Sequence, residues 1–248
     1  MYRNFSNQIK LNSSVVRMSA PLKDGVAPKE VVITFESAVA SDRTNDMRYG
    51  FAEKFLLESG YACVSILCNA PHWYRPLDIR EFLCSAYLRN FLSKFDRVHT
   101  YGSSMGGFAA LAFADVLKAD NAIAIVPITS LHDDFAPWET RFRKGYERNW
   151  NTPYNDAAKG IETPKSIWMV YDPLSPDMPH IERLRGPAGD RALEVTWPNA
   201  GHGVTQQLLR TGVLKEMTQI FLSDTTTDRA QAHLSAIKLL PKTEDGNG

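Results

Sequence analysis

Apolar positions along this chain fall into short runs of two kinds. Val31–Phe35, Tyr61–Cys68, Val98–Tyr101, Asn121–Ile128, Ser166–Tyr171 and Leu193–Trp197 are nearly continuous and rich in β-branched and aromatic residues. Such runs are the signature of strands buried on both faces. Between them the apolar residues switch to helical spacing, over Arg48–Glu58 (Phe51, Phe55, Leu56, Leu57, stopping at Gly60), Ile79–Phe95, Met105–Leu117, Met178–Leu184 and Val204–Leu222. Strands alternating with helices predict parallel βαβ units. The expected fold class is therefore α/β, a doubly wound and mostly parallel β-sheet flanked by helices. Residues 1–20 alternate only loosely and predict one or two antiparallel edge strands.

The alternation breaks between Thr129 and Pro164, where the chain reads F-A-P-W-E-T-R-F-R-K-G-Y-E-R-N-W. An aromatic, charged insertion directly after a strand is where substrate-selecting loops sit. The expectation is one domain over 1–224 with a small cap insertion at about 130–163; an ordinary surface helix pair is the alternative. Residues 225–248 read as a polar, loosely packed tail.

Composition narrows the function class. Lys+Arg and Asp+Glu both total 28, so the net charge is zero. That removes the electrostatic basis for binding nucleic acid or an anionic membrane and leaves homo-oligomers open. No run approaches the roughly 20 apolar residues of a membrane span, and M-Y-R-N-F-S-N-Q lacks the apolar core of a signal peptide. Cys63, Cys68 and Cys84 have no metal-like spacing and read as reduced structural thiols, so a cytoplasmic location is expected. His132-Asp133-Asp134 invites a metal reading, but three adjacent residues rarely converge on one ion. No metal and no cofactor are expected.

The chemistry concentrates at Val98–Phe108, V-H-T-Y-G-S-S-M-G-G-F. Gly102, Ser104 and Gly106 fit G-x-S-x-G at the junction of a strand and a helix pattern, the nucleophile elbow. A serine on so sharp a turn is pushed out above the sheet, and side chains two residues either side would collide with the neighbouring strand and helix. A serine hydroxyl needs a base, and the base an orienting acid. Among six histidines, His202 stands out: it lies in N-A-G-H-G between the last strand and the last helix, C-terminal to the serine. His99 falls inside a strand and reads as structural. The acid belongs after the penultimate strand, where D-P-L-S-P-D offers Asp172 at the strand end and Asp177, which is also placed to cap the next helix. Both remain candidates.

The order of these elements, with G-S-S-M-G-G, D-P-L-S-P and A-G-H-G at their stations, resembles the serine α/β-hydrolase superfamily over roughly residues 30–222. The resemblance implies the α/β-hydrolase fold, with Ser104 as nucleophile and His202 as base. It also implies an oxyanion hole from the N–H of Met105 and a second N–H around Glu36 or Ser37. Two departures stand out: the early strand runs T-F-E-S-A rather than into H-G-G-G, and the acid loop lacks G-x-x-D. The expected activity is that of a serine hydrolase, an esterase, on a small-molecule or acylated substrate. His72-Trp73-Tyr74-Arg75 and, from the insertion, Trp138, Arg141, Arg143 and Trp150 could form an aromatic and cationic substrate wall. The competing readings are an acyltransferase using the same residues and a non-catalytic binding protein that kept the fold. Phosphate binding by G-S-S-M-G-G is weaker, since the G-K-[ST] ending is missing.

Overall fold

Every residue of Ala62–Cys68 and of Asn121–Ile125 is buried, and so is all but the first of Glu30–Phe35, Arg97–Ser103 and Ser166–Tyr171. Strands covered on both faces can afford no polar side, which is why these segments read as runs. A computed structural model of the chain describes residues 3–22, 26–38 and 48–223; the expected tail at 225–248 lies outside them. Eight strands form one sheet: β1 (Arg3–Lys10), β2 (Ser14–Leu22), β3 (Glu30–Phe35), β4 (Ala62–Cys68), β5 (Arg97–Ser103), β6 (Asn121–Ile125), β7 (Ser166–Tyr171) and β8 (Ala192–Thr196). Their order is β1-β2-β4-β3-β5-β6-β7-β8. The β1–β2 and β2–β4 pairs are antiparallel and all others parallel. The loose alternation of residues 1–20 thus becomes an antiparallel edge on an otherwise parallel sheet.

Two apolar layers cover the sheet. Val31, Ile33, Val64 and Ile66 point to one face, packed by α2 (Leu77–Leu83), α3 (Ala86–Leu92), α4 (Met105–Ala112) and α6 (Met178–Ala188). Val32, Cys63, Tyr101 and Ile123 point to the other, packed by α1 (Glu53–Glu58), α7 (Val204–Arg210) and α8 (Val213–Leu222). All eight residues of α4 are buried, as befits a helix apolar on every side. It lies between the sheet and the segment after β6.

Several helices are shorter than their apolar pattern. The expected helix over Ile79–Phe95 is two, because the chain turns at Cys84 and Ser85 restarts it, its hydroxyl accepting the Leu88 N–H at 3.1 Å. Val204–Leu222 is likewise two, broken at Gly212, whose φ of 73° is a left-handed conformation that suits glycine. The Met105–Leu117 helix stops at Ala112, and the first begins only at Glu53. The segment 129–163 is mostly irregular, with one short α-helical turn, α5 (Arg143–Tyr146), and a 3-10 turn at Ala157–Lys159. Among the described residues no helix is long and apolar enough to cross a membrane.

β3 and β5 are neighbours from which the chain winds outward in opposite directions. The crevice at their C-terminal ends is the topological switch point, where open α/β sheets place their sites.

Candidate active site

Ser104 sits in that crevice, between β5 and α4, with φ 55° and ψ −116°. Such a conformation costs a non-glycine residue about 1–3 kcal/mol and persists only where the surroundings over-determine it. Here its N–H donates to the Ile125 carbonyl and its carbonyl accepts from the Phe108 N–H, both at 2.9 Å. The flanking glycines are demanded by close approach. A Cβ on Gly102 would stand 2.2 Å from the Gly106 carbonyl oxygen, and one on Gly106 would stand 2.2 Å from that of Phe35. Strand, turn and helix are pressed together, and the Ser104 hydroxyl is the group left facing out.

The Ser104 Oγ lies 2.7 Å from His202 Nε2. His202 Nδ1 lies 2.9 and 3.0 Å from the two carboxylate oxygens of Asp177. A carboxylate can only accept, so the proton of the neutral ring belongs on Nδ1. The Nε2 lone pair then faces the serine O–H. Burial pushes the Asp177 carboxyl up, but the hydrogen bond from His202 and the Arg141 guanidinium outweigh it, and the group ends below its ordinary value. Asp177 is fully buried and ionised.

Asp172 takes another place. Its carboxylate accepts the N–H of Gly201 at 2.7 Å and of Leu174 at 2.9 Å. It is tied to the loop that carries His202, not to the imidazole. Burial would raise its carboxyl, yet these backbone N–H groups hold it below the usual range. Asp177, at the start of α6, makes no side-chain cap bond to that helix; its oxygens are committed to His202 and Arg141. A hydrogen bond of 2.6 Å between the hydroxyls of Ser103 and Thr205 joins the elbow strand to α7, just beyond the histidine.

The Met105 N–H lies in the first turn of α4, where no helical carbonyl precedes it. The loop after β3 runs directly beside it, since a Cβ on Gly106 would stand only 3.0 Å from the Glu36 carbonyl oxygen. The Glu36 side chain is turned away and buried: both its oxygens take Arg48, and it accepts the Cys68 N–H at 2.8 Å. Ser37 follows, half-exposed. Tyr74 fixes this loop, its hydroxyl donating to the Glu36 carbonyl at 3.0 Å. Tyr74 is held in turn by a left-handed pair, Trp73 and Tyr74 at φ 55° and 58°, and His72 Nδ1 accepts the Tyr74 N–H at 3.0 Å. Burial lowers His72 to about 4, which keeps that acceptor unprotonated.

The structure therefore brings together Ser104, His202 and Asp177, with Met105 directly after the serine and the Glu36 backbone beside Gly106. Trp73, Tyr74 and Arg75 are buried beneath them, at 1%, 0% and 4% exposure. Arg75 stacks over Trp150 at 5.1 Å and Phe108 at 5.5 Å, and Arg143 is exposed on α5. Trp138 is exposed at 42% and lies against His180. Phe142, which the sequence pattern did not single out, has its ring 5.5 Å from that of His202 and rests on Trp73 at 5.2 Å. Its position in the aromatic run of the insertion was the available signal.

No family model and no curated protein matches the sequence. Solved structures do match the fold. EstE1, a thermophilic carboxylesterase cloned from a metagenomic library, superposes with a TM-score of 0.59 at 14% identity, over 94% of this chain and 88% of its own. The fluorophosphonate-binding serine hydrolase F of Staphylococcus aureus gives 0.54 at 14% identity, over 86% and 97%. The capsule O-acetyltransferase of Neisseria meningitidis serogroup A gives 0.54 at 18% identity, over 84% and 94%. With this strand order and these neighbours, the chain has the fold of the serine α/β-hydrolases.

Proposed function

We propose that this protein is a serine hydrolase that cleaves short-chain acyl esters through Ser104, His202 and Asp177. The observation that carries the proposal is the unbroken line from the strained Ser104 hydroxyl, 2.7 Å to His202 Nε2 and 2.9 Å from Nδ1 to a fully buried, ionised Asp177. As Ser104 Oγ attacks the ester carbonyl, His202 Nε2 takes its proton. The carbonyl π pair moves onto oxygen, where the N–H groups of Met105 and Ser37 stabilise it. Collapse expels the alcohol, which takes the proton from His202, and leaves an acyl-serine. Water, deprotonated by the same nitrogen, then releases the acid.

Segment 130–163 serves as the cap. Phe142 bounds the acyl side: its ring flanks His202 and is backed by Trp73, itself packed at a tilt against Trp150, so it cannot readily withdraw. Trp138 stands at the rim. The second reading is an acyltransferase in which an alcohol replaces water, since the first half-reaction is the same and one structural neighbour is an O-acetyltransferase.

A panel of p-nitrophenyl esters with added alcohol acceptors tests both readings. The expected outcome is hydrolysis of acetate and butyrate at least about tenfold faster than of octanoate, because each misplaced methylene costs about 1–3 kcal/mol, with free acid as product. An ester formed on the added alcohol as the main product would establish the transferase. Preference for octanoate would show that Phe142 does not limit the acyl group.

A further inference from the structure

The triad acid has a second partner. Arg141 Nη1 lies 2.8 Å from an Asp177 oxygen. The same guanidinium grips Glu139 through Nε at 3.0 Å and through Nη2. Both carboxylates are buried, at 1% side-chain exposure for Glu139 and 0% for Asp177. Glu139 is held from the other side by His180 Nε2 at 3.1 Å, and His180 Nδ1 meets the Thr129 hydroxyl at 2.8 Å. Since His180 stands one turn beyond Asp177 on α6, the insertion is fastened to the start of that helix at two points. One cation thus separates two buried carboxylates that would otherwise repel.

We propose that Arg141 is a positioning residue for the triad, clamping Asp177 against His202 and balancing, through its charge, the carboxylate that faces the imidazole. The proposal rests on the reading of Ser104, His202 and Asp177 as a catalytic triad. The titratable and charged groups around the clamp are Asp133, Glu139 and Arg141 before α5, Tyr146 on α5, His180 and Arg183 on α6, Asp172 at Gly201, and His202 itself. The Glu139 carboxyl supports the same balance. Burial raises it, but the bonds from His180 and Arg141 prevail and leave it at about 2, ionised beside the guanidinium.

The charge arrangement has a signed consequence. Without Arg141 the full negative charge of Asp177 falls on His202, whose protonated form is then favoured, so the acid limb of kcat/KM moves to higher pH. Without the Glu139 charge, Arg141 acts more fully on Asp177, and the limb moves to lower pH.

The experiment measures pH profiles of kcat/KM on p-nitrophenyl acetate for wild type, Arg141→Gln, Arg141→Lys and Glu139→Gln. Wild type is labelled in parallel with a fluorophosphonate probe. Arg141→Gln is expected to lower kcat about tenfold with KM little changed and to move the limb up by about half to one pH unit. Arg141→Lys should restore the limb position while recovering kcat only in part, because an ammonium keeps the charge without the fork. Glu139→Gln should shift the limb the opposite way. A limb that stays put in all three variants, with wild type labelled, would overturn the role of Arg141 and leave the triad standing. Wild type that is not labelled would overturn the triad reading as well. Should Arg141→Gln fail to fold, Arg141→Lys and Glu139→Gln still decide the matter, since merely structural damage does not lower kcat with the limb kept in the first and move the limb to lower pH in the second.

Discussion

His202→Ala is expected to lower kcat for ester hydrolysis by five to six orders of magnitude, about as much as Ser104→Ala. Members of a triad act as a unit, so removing the base alone costs nearly the whole of their joint contribution. The geometry gives the reason here. Ser104 Oγ has His202 Nε2 at 2.7 Å, and without that lone pair the proton must leave to water as the nucleophile attacks. The His202 ring fills a half-exposed turn, Gly201–Gly203, rather than the core, so the variant should retain its fold and its melting temperature to within a few degrees. Steady-state kinetics with a circular-dichroism melt check both halves. A loss of less than about a hundredfold would mean that another group takes the proton.

The two aspartates separate just as sharply. Asp177→Asn should cost about four orders of magnitude in kcat, because an amide facing Nδ1 can donate, which favours the tautomer whose proton sits on the wrong nitrogen. Asp172→Asn keeps a carbonyl oxygen for the Gly201 N–H but loses the charge and sets its NH2 against the Leu174 N–H. Its expected effect is a stability loss of about 1–2 kcal/mol with activity reduced less than tenfold. Parallel kinetics and melts on the two variants read this directly. The reverse pattern, a severe loss at Asp172 and a mild one at Asp177, would place the acid wrongly.

This contrast also shows how far the residues alone reach. The elbow was legible because its requirements are local: Gly102 and Gly106 are demanded by contacts of 2.2 Å with backbone a few residues or one strand away. The parallel sheet was legible because each central strand is buried on both faces. The choice between Asp172 and Asp177 was not. They lie five residues apart in one loop, and which of them meets His202 depends on the path of D-P-L-S-P and on a histidine loop that arrives from β8. That the strand-end residue holds the loop while the residue before α6 holds the ring is a tertiary outcome. Arg141 illustrates the same limit. Its charge and its aromatic neighbours suggest a substrate wall, while its actual partners, Asp177 and Glu139, are set by how the insertion docks on α6. Helix boundaries failed for a simpler reason: Gly212 and Ser85 end or restart helices inside apolar patterns that continue past them.

The central claim is that Ser104 is an activated nucleophile, and labelling the purified protein with a fluorophosphonate probe tests it most directly. Covalent labelling of wild type, absent in Ser104→Ala, with the adduct mapped to Ser104 by mass spectrometry, is the predicted result. Folded wild type that takes no label, or label that persists in Ser104→Ala, would contradict it.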